Sequence, residues 1–83
     1  MLFMTSFDII PGKAEDTFYL IKKTKPPESI KVHQFLKLFG KPDFVIIYEA
    51  PNESTAMDFV LKFASCVTPR TSLCTFMEGY EPK

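Results

Sequence analysis

Tryptophan is absent from these 83 residues, glycine occurs three times, and histidine and arginine occur once each, at His33 and Arg70. So few glycines leave no phosphate-cradling glycine-rich loop. One histidine and two cysteines, Cys66 and Cys74, offer no metal-ligand spacing, and the cysteines form at most one bridge. They read as small buried or half-buried thiols of a reducing cytosol. Neither sign of charge predominates, because ten basic side chains balance ten acidic ones. That removes the electrostatic footprint of a nucleic-acid binder or of a protein drawn to anionic membranes. The longest strongly apolar run is Phe44-Val45-Ile46-Ile47-Tyr48, far short of the roughly 20 residues of a membrane-spanning helix. Met1-Leu2-Phe3-Met4-Thr5 carries neither a basic region nor a small-residue cleavage site, so no signal peptide is evident and a cytoplasmic location is expected.

What is present is apolar and aromatic: 46% hydrophobic residues and 14% aromatic. Disorder needs the reverse, few apolar residues and a large net charge. The length allows a single domain, read here as residues 1–78 with a short tail at 79–83. A chain of this size buries only roughly 60–65% of the surface it exposes when unfolded, which leaves it marginal alone.

The first segment, Leu2 to Ile9, alternates with Phe3, Thr5, Phe7 and Ile9 on one parity and reads as a strand, stopped by Ile10-Pro11-Gly12. From Lys13 to Thr24 the period becomes helical, with Ala14, Thr17, Phe18 and Ile21 on one stripe, and Pro26-Pro27 forbids continuation. Ile30 to Phe39 returns to alternation, with Ile30, Val32, Leu36 and Leu38 on one parity. Gly40-Lys41-Pro42-Asp43 is turn chemistry, and Phe44 to Glu49 is the most β-prone stretch, so the two strands form an antiparallel hairpin. Asn52 is placed to cap a second helix, whose stripe is Ala56, Phe59, Val60, Phe63, Ala64 and Val67. Thr68-Pro69 is expected to end it, and Thr71 to Met77 to form the last strand.

The order β-α-β-β-α-β defines an α+β, ferredoxin-like arrangement: a four-stranded antiparallel sheet with two helices on one face. In such a sheet the uncovered face should alternate to polar. Here both parities are apolar in most strands, with Leu2 and Met4 against Phe3 and Phe7, and Phe44, Ile46 and Tyr48 against Val45 and Ile47. Covering about 600 Å² of such surface contributes roughly 15 kcal/mol gross. The expectation is a homodimer with sheet packed on sheet, open to higher assembly, with itself as partner and with no nucleic acid or membrane.

The stretch Gly40-Lys41-Pro42-Asp43-Phe44-Val45-Ile46-Ile47-Tyr48-Glu49-Ala50-Pro51-Asn52-Glu53 resembles the third strand and following loop of GYD-domain proteins, members of the dimeric α/β-barrel superfamily. Pro69-Arg70-Thr71-Ser72-Leu73 is similar to the opening of their last strand. The resemblance implies the fold and dimerisation and says little about activity. Some superfamily members are cofactor-independent oxygenases or haem degraders that lean on a tryptophan, asparagine and histidine set. This chain has no tryptophan, and its one asparagine, Asn52, reads as a cap.

Four residues are expected to contact a small-molecule ligand. His33 is the one side chain that titrates near neutrality, and Phe35 and Tyr48 supply aromatic surface. Arg70 could grip a carboxylate through two parallel hydrogen bonds. Each has a plainer reading: an exposed strand histidine, core aromatics, a surface ion pair. Asp43 reads as a turn residue bonded to its own backbone. No catalytic residue, metal or cofactor is expected, so the functional expectation is a non-catalytic small-molecule-binding or regulatory module. The alternative is a cofactor-independent enzyme acting on a small aromatic or carbonyl compound, with His33 as acid/base and Tyr48 or Arg70 orienting. RNA-recognition domains share the element order, but Lys41-Pro42-Asp43-Phe44-Val45 puts aspartate and valine where base-stacking aromatics belong.

Overall fold

A computed structural model describes residues 1–81, so the last two residues of the expected tail lie outside it. The elements are β1 (Leu2–Ile9), α1 (Ala14–Lys23), β2 (Lys31–Lys37), β3 (Phe44–Glu49), α2 (Glu53–Leu61) and β4 (Val67–Cys74). The strands form one antiparallel sheet in the order β2-β3-β1-β4. This is the ferredoxin-like α+β fold.

Alternation decides which side of each central strand is buried. Phe3, Thr5 and Phe7 of β1 and Phe44, Ile46 and Tyr48 of β3 point to the helices. They form the core with Ala56, Phe59 and Val60 of α2, and with Leu20 and Ile21 of α1 packed against it. The aromatic rings interlock: Phe7 and Phe63 meet edge-on at 5.5 Å, as do Tyr48 and Phe59 at 5.5 Å. The polar atoms buried among them are paired. The Thr5 hydroxyl bonds the Tyr48 hydroxyl at 2.9 Å and that of Thr71 at 2.8 Å, joining β3, β1 and β4 beneath the helices. Among the described residues no buried side-chain nitrogen or oxygen lacks a partner.

Charge and capping place the helices. Glu15 and Asp16 occupy the first turn of α1, and Lys22 and Lys23 the last, which complements the helix dipole. Asn52 caps α2, its side-chain oxygen accepting from the Thr55 N–H at 2.8 Å.

Three details differ from the periodic reading. A bulge between Val32 and Gln34 inserts one residue into β2. Val32 therefore faces the helices opposite Tyr48, while Leu36 faces the other way opposite Val45. The last strand begins at Val67 rather than Thr71 and contains Pro69, paired with Phe7. β4 is an edge strand, where a residue without an N–H costs the ladder little. Regular helix in α2 ends at Leu61, and a series of turns then carries Phe63 and Cys66 into the core while leaving Ala64 exposed. Among the described residues, no helix is long and apolar enough to cross a membrane.

Candidate functional site

Among the recesses of the described residues, two involve β2, one on each face of the sheet. The open face carries Leu2 and Met4 from β1, Val45 and Ile47 from β3, and Leu36 from β2. Leu36 is 42% exposed and Met4 36%, and neither helix reaches this side. Phe76, just after β4, overhangs one end. With Leu2, His33, Gln34 and Ile47 it encloses a shallow recess of about 320 Å³.

His33 sits at the β2 bulge and donates through Nε2 to Glu49 Oε2 at 2.9 Å. Both side chains remain more than a third exposed. That hydrogen bond is the main reason the Glu49 carboxyl lies below its ordinary value, with the charges of His33 and Lys31 assisting. The pair can hold a polar ligand group beside the apolar wall.

The second recess lies on the helix side, where the edge strand β2 passes under α1. Phe18, Ile21 and Lys22 of α1 meet Phe35 and Lys37 of β2 over Phe44, leaving about 290 Å³. The rings of Phe18 and Phe35 each stand edge-on to Phe44, at 5.6 and 6.2 Å. The Lys37 ammonium rests 5.3 Å from the centre of the Phe18 ring.

The four expected ligand residues do not share a surface. His33 and Arg70 both belong to the open side, but on opposite edge strands. Arg70 stands opposite Ser6 in β4, three strand spacings or about 14 Å across from β2. Tyr48 is wholly buried, stacked on Phe3 at 5.7 Å with its hydroxyl on Thr5, because its parity in β3 is the inward one. Phe35 stands at the mouth of the second recess. Phe18, Lys22 and Lys37 were not singled out from the sequence. The available signal was Phe18 and Lys22 one helical turn apart, with Phe35 and Lys37 on one parity of the next strand.

The Asp43 carboxylate is bonded to β1 rather than to the backbone of its own turn. It accepts from the Ile9 N–H at 2.8 Å, and the Asp43 N–H donates to the Phe7 carbonyl at 2.9 Å. The β2–β3 turn is thereby fastened to the end of β1. The Ile9 bond is the chief cause of a carboxyl held below its ordinary value, with Lys41 at 3.3 Å assisting. Among the described residues, no group of three histidine, cysteine or acidic side chains is arranged to hold a metal ion.

The profile of a family described as "Domain of unknown function (DUF3303)" matches residues 1–78. No curated protein matches the chain. Among solved structures, the crystal structure of MtbAldR is similar at 18% identity and a TM-score of 0.62, over 98% of this chain and 56% of that one. The chain thus spans about half the length of this neighbour, and the likeness speaks to the fold alone.

Proposed function

The chain belongs to the DUF3303 family, and we propose that it works as a homodimeric, non-catalytic small-molecule-binding module. The observation that carries this reading is the uncovered apolar face of the sheet, with Leu2, Met4, Leu36, Val45 and Ile47 side by side. The patch runs over the outward parity of β1, β2 and β3 and is rimmed by the polar Ser6, Gln34, Arg70 and Ser72. Contiguous apolar patches beyond a few hundred Å² are rare on monomers and mark interaction sites. A second copy laid face to face supplies what the helices supply on the other side, and it roofs the recess beside His33 and Glu49.

The segment from Gly40 to Glu53 supports a closer kinship with GYD-domain proteins, and the unbridged Cys66 and Cys74 suit a reducing cytosol. The binding role draws support from the recesses on either side of β2 and from the exposure of the His33–Glu49 pair beside one of them. Among the described residues the hydrogen-bond partner of His33 is Glu49, with no hydroxyl or thiol nucleophile joined to it. A cofactor-independent enzyme with His33 as acid/base has only that pair in its favour.

The test is a native mass spectrum of protein purified without added ligand. A dimer carrying extra mass is the expected result and would disclose the ligand's chemical class. A dimer that neither retains nor takes up any small molecule would leave assembly standing and remove the binding role.

A further inference from the structure

We propose that the cleft between α1 and β2 binds a small amphipathic carboxylic acid, with its ring or chain on Phe18, Phe35 and Phe44 and its carboxylate between Lys22 and Lys37. This assigns a ligand class to the binding module proposed above and rests on that reading.

Strand parity makes the cleft unlike ordinary surface. Phe35 and Lys37 stand opposite Ile46 and Phe44, so they occupy the inward parity of β2. On β3 that parity is sealed, with Ile46 and Phe44 at most 5% exposed. On β2 it is open, and Phe35 remains 37% exposed, as does Phe18 above it. Both rings stand steeply on Phe44, and the part of each that stays exposed, beside the Lys37 ammonium resting on Phe18, can take an apolar ligand.

Charge decides what kind of ligand. Lys37 is a cation on a core-facing strand position, and Lys22 reaches the same cleft from α1. Among the described residues neither ammonium has a carboxylate within ion-pair distance, and no acidic residue lines the cleft. The recess on the open face differs, because the basic groups near it, His33 and Lys31, already face the Glu49 carboxylate. An anion is therefore directed to the α1–β2 cleft and away from the other. The volume of about 290 Å³ lies at the small end of ligand pockets, near the roughly 300 Å³ lower bound, which favours a compact acid over a large cofactor.

The experiment is an amide ¹H–¹⁵N titration of the intact chain with three probes of one shape: 3-phenylpropionate, 3-phenylpropanol and 3-phenylpropylamine. The acid should give saturable shifts confined to residues 18–22 and 35–44. Its affinity should exceed the alcohol's by roughly tenfold, the margin a charge-assisted hydrogen bond supplies, and the amine should not bind there. Lys22→Gln with Lys37→Gln should erase the acid's advantage while leaving the rest of the spectrum in place, and added salt should reduce it. Equal binding of acid and alcohol would overturn the assignment, as would saturable acid shifts only around His33. In either case the binding-module reading survives on the site that did respond. Failure of all three probes to saturate anywhere, together with a ligand-free native mass spectrum, would overturn both.

Discussion

Tyr48 and Asp43 are conspicuous in the sequence, yet what each touches lies far along the chain. The Tyr48 hydroxyl meets Thr5 and the Asp43 carboxylate meets the Ile9 amide, across 43 and 34 positions. No local pattern discloses either partner, because strand register has to bring them together first. Thr5 is the centre of its chain of hydroxyls, so the two obvious variants should differ. Tyr48→Phe removes one hydrogen bond and leaves Thr5 paired with Thr71, at a cost of about 1 kcal/mol. Thr5→Val strands the hydroxyl of the fully buried Tyr48 and should cost more, up to about 3 kcal/mol. Urea midpoints at neutral pH compare them, and a larger loss for Tyr48→Phe would show that the network is not centred on Thr5. Asp43 makes a pH-dependent contribution of known sign. Its folded carboxyl lies below the ordinary value of 3.8, so the stabilisation is present above that value and is lost as pH falls through the lower folded one. The wild-type advantage over Asp43→Ala should therefore be full at neutral pH and narrow below about pH 4. A gap that is constant with pH would mean the charge plays no part.

At the scale of elements, the order of strands and helices was legible because the period changes cleanly, from two in Phe3-Thr5-Phe7 to the helical spacing of Ala56, Phe59, Val60 and Phe63. The cap of α2 was legible for the same local reason, since Asn52 needs only the amide three residues on. Asn52→Ala should cost about 1 kcal/mol, seen as a fall in melting temperature of about 4–8 °C for a domain of this size. A fall of under a degree would mean that packing alone starts the helix. What escaped the sequence was set by tertiary position. Pro69 reads as a breaker, yet it is accepted because β4 lies at the sheet edge. The β2 bulge carries no glycine and no turn residue to announce it, and its effect is large. It sends Phe35 and Lys37 inward and Leu36 outward, and so creates the α1–β2 cleft while adding to the open face. Of the four residues expected at a ligand site, the bulge separates His33 from Phe35 and the inward parity of β3 removes Tyr48 from the surface. Arg70 is stranded on the far edge.

The molecule as a whole is a two-layer structure with the outside of its sheet left apolar. The second apolar parity, legible in the sequence as Leu2, Met4, Val45 and Ile47, corresponds to a surface that neither helix covers, half-buried at Leu2, Val45 and Ile47 and overhung at one end by Phe76. For a chain of 9.5 kDa, burial of that face bears on whether the fold is stable alone as well as on assembly. Ile47 lies near the middle of the face, opposite Met4 and Gln34 and away from the core. A charge placed there should act on association before it acts on folding. Sedimentation velocity at low micromolar concentration, on the wild-type chain and on Ile47→Lys, is the measurement to make. The wild type should sediment as a dimer, and Ile47→Lys as a monomer that retains its circular dichroism spectrum. A wild-type chain that is monomeric and fully folded at that concentration would contradict the reading of the open face as a self-association surface.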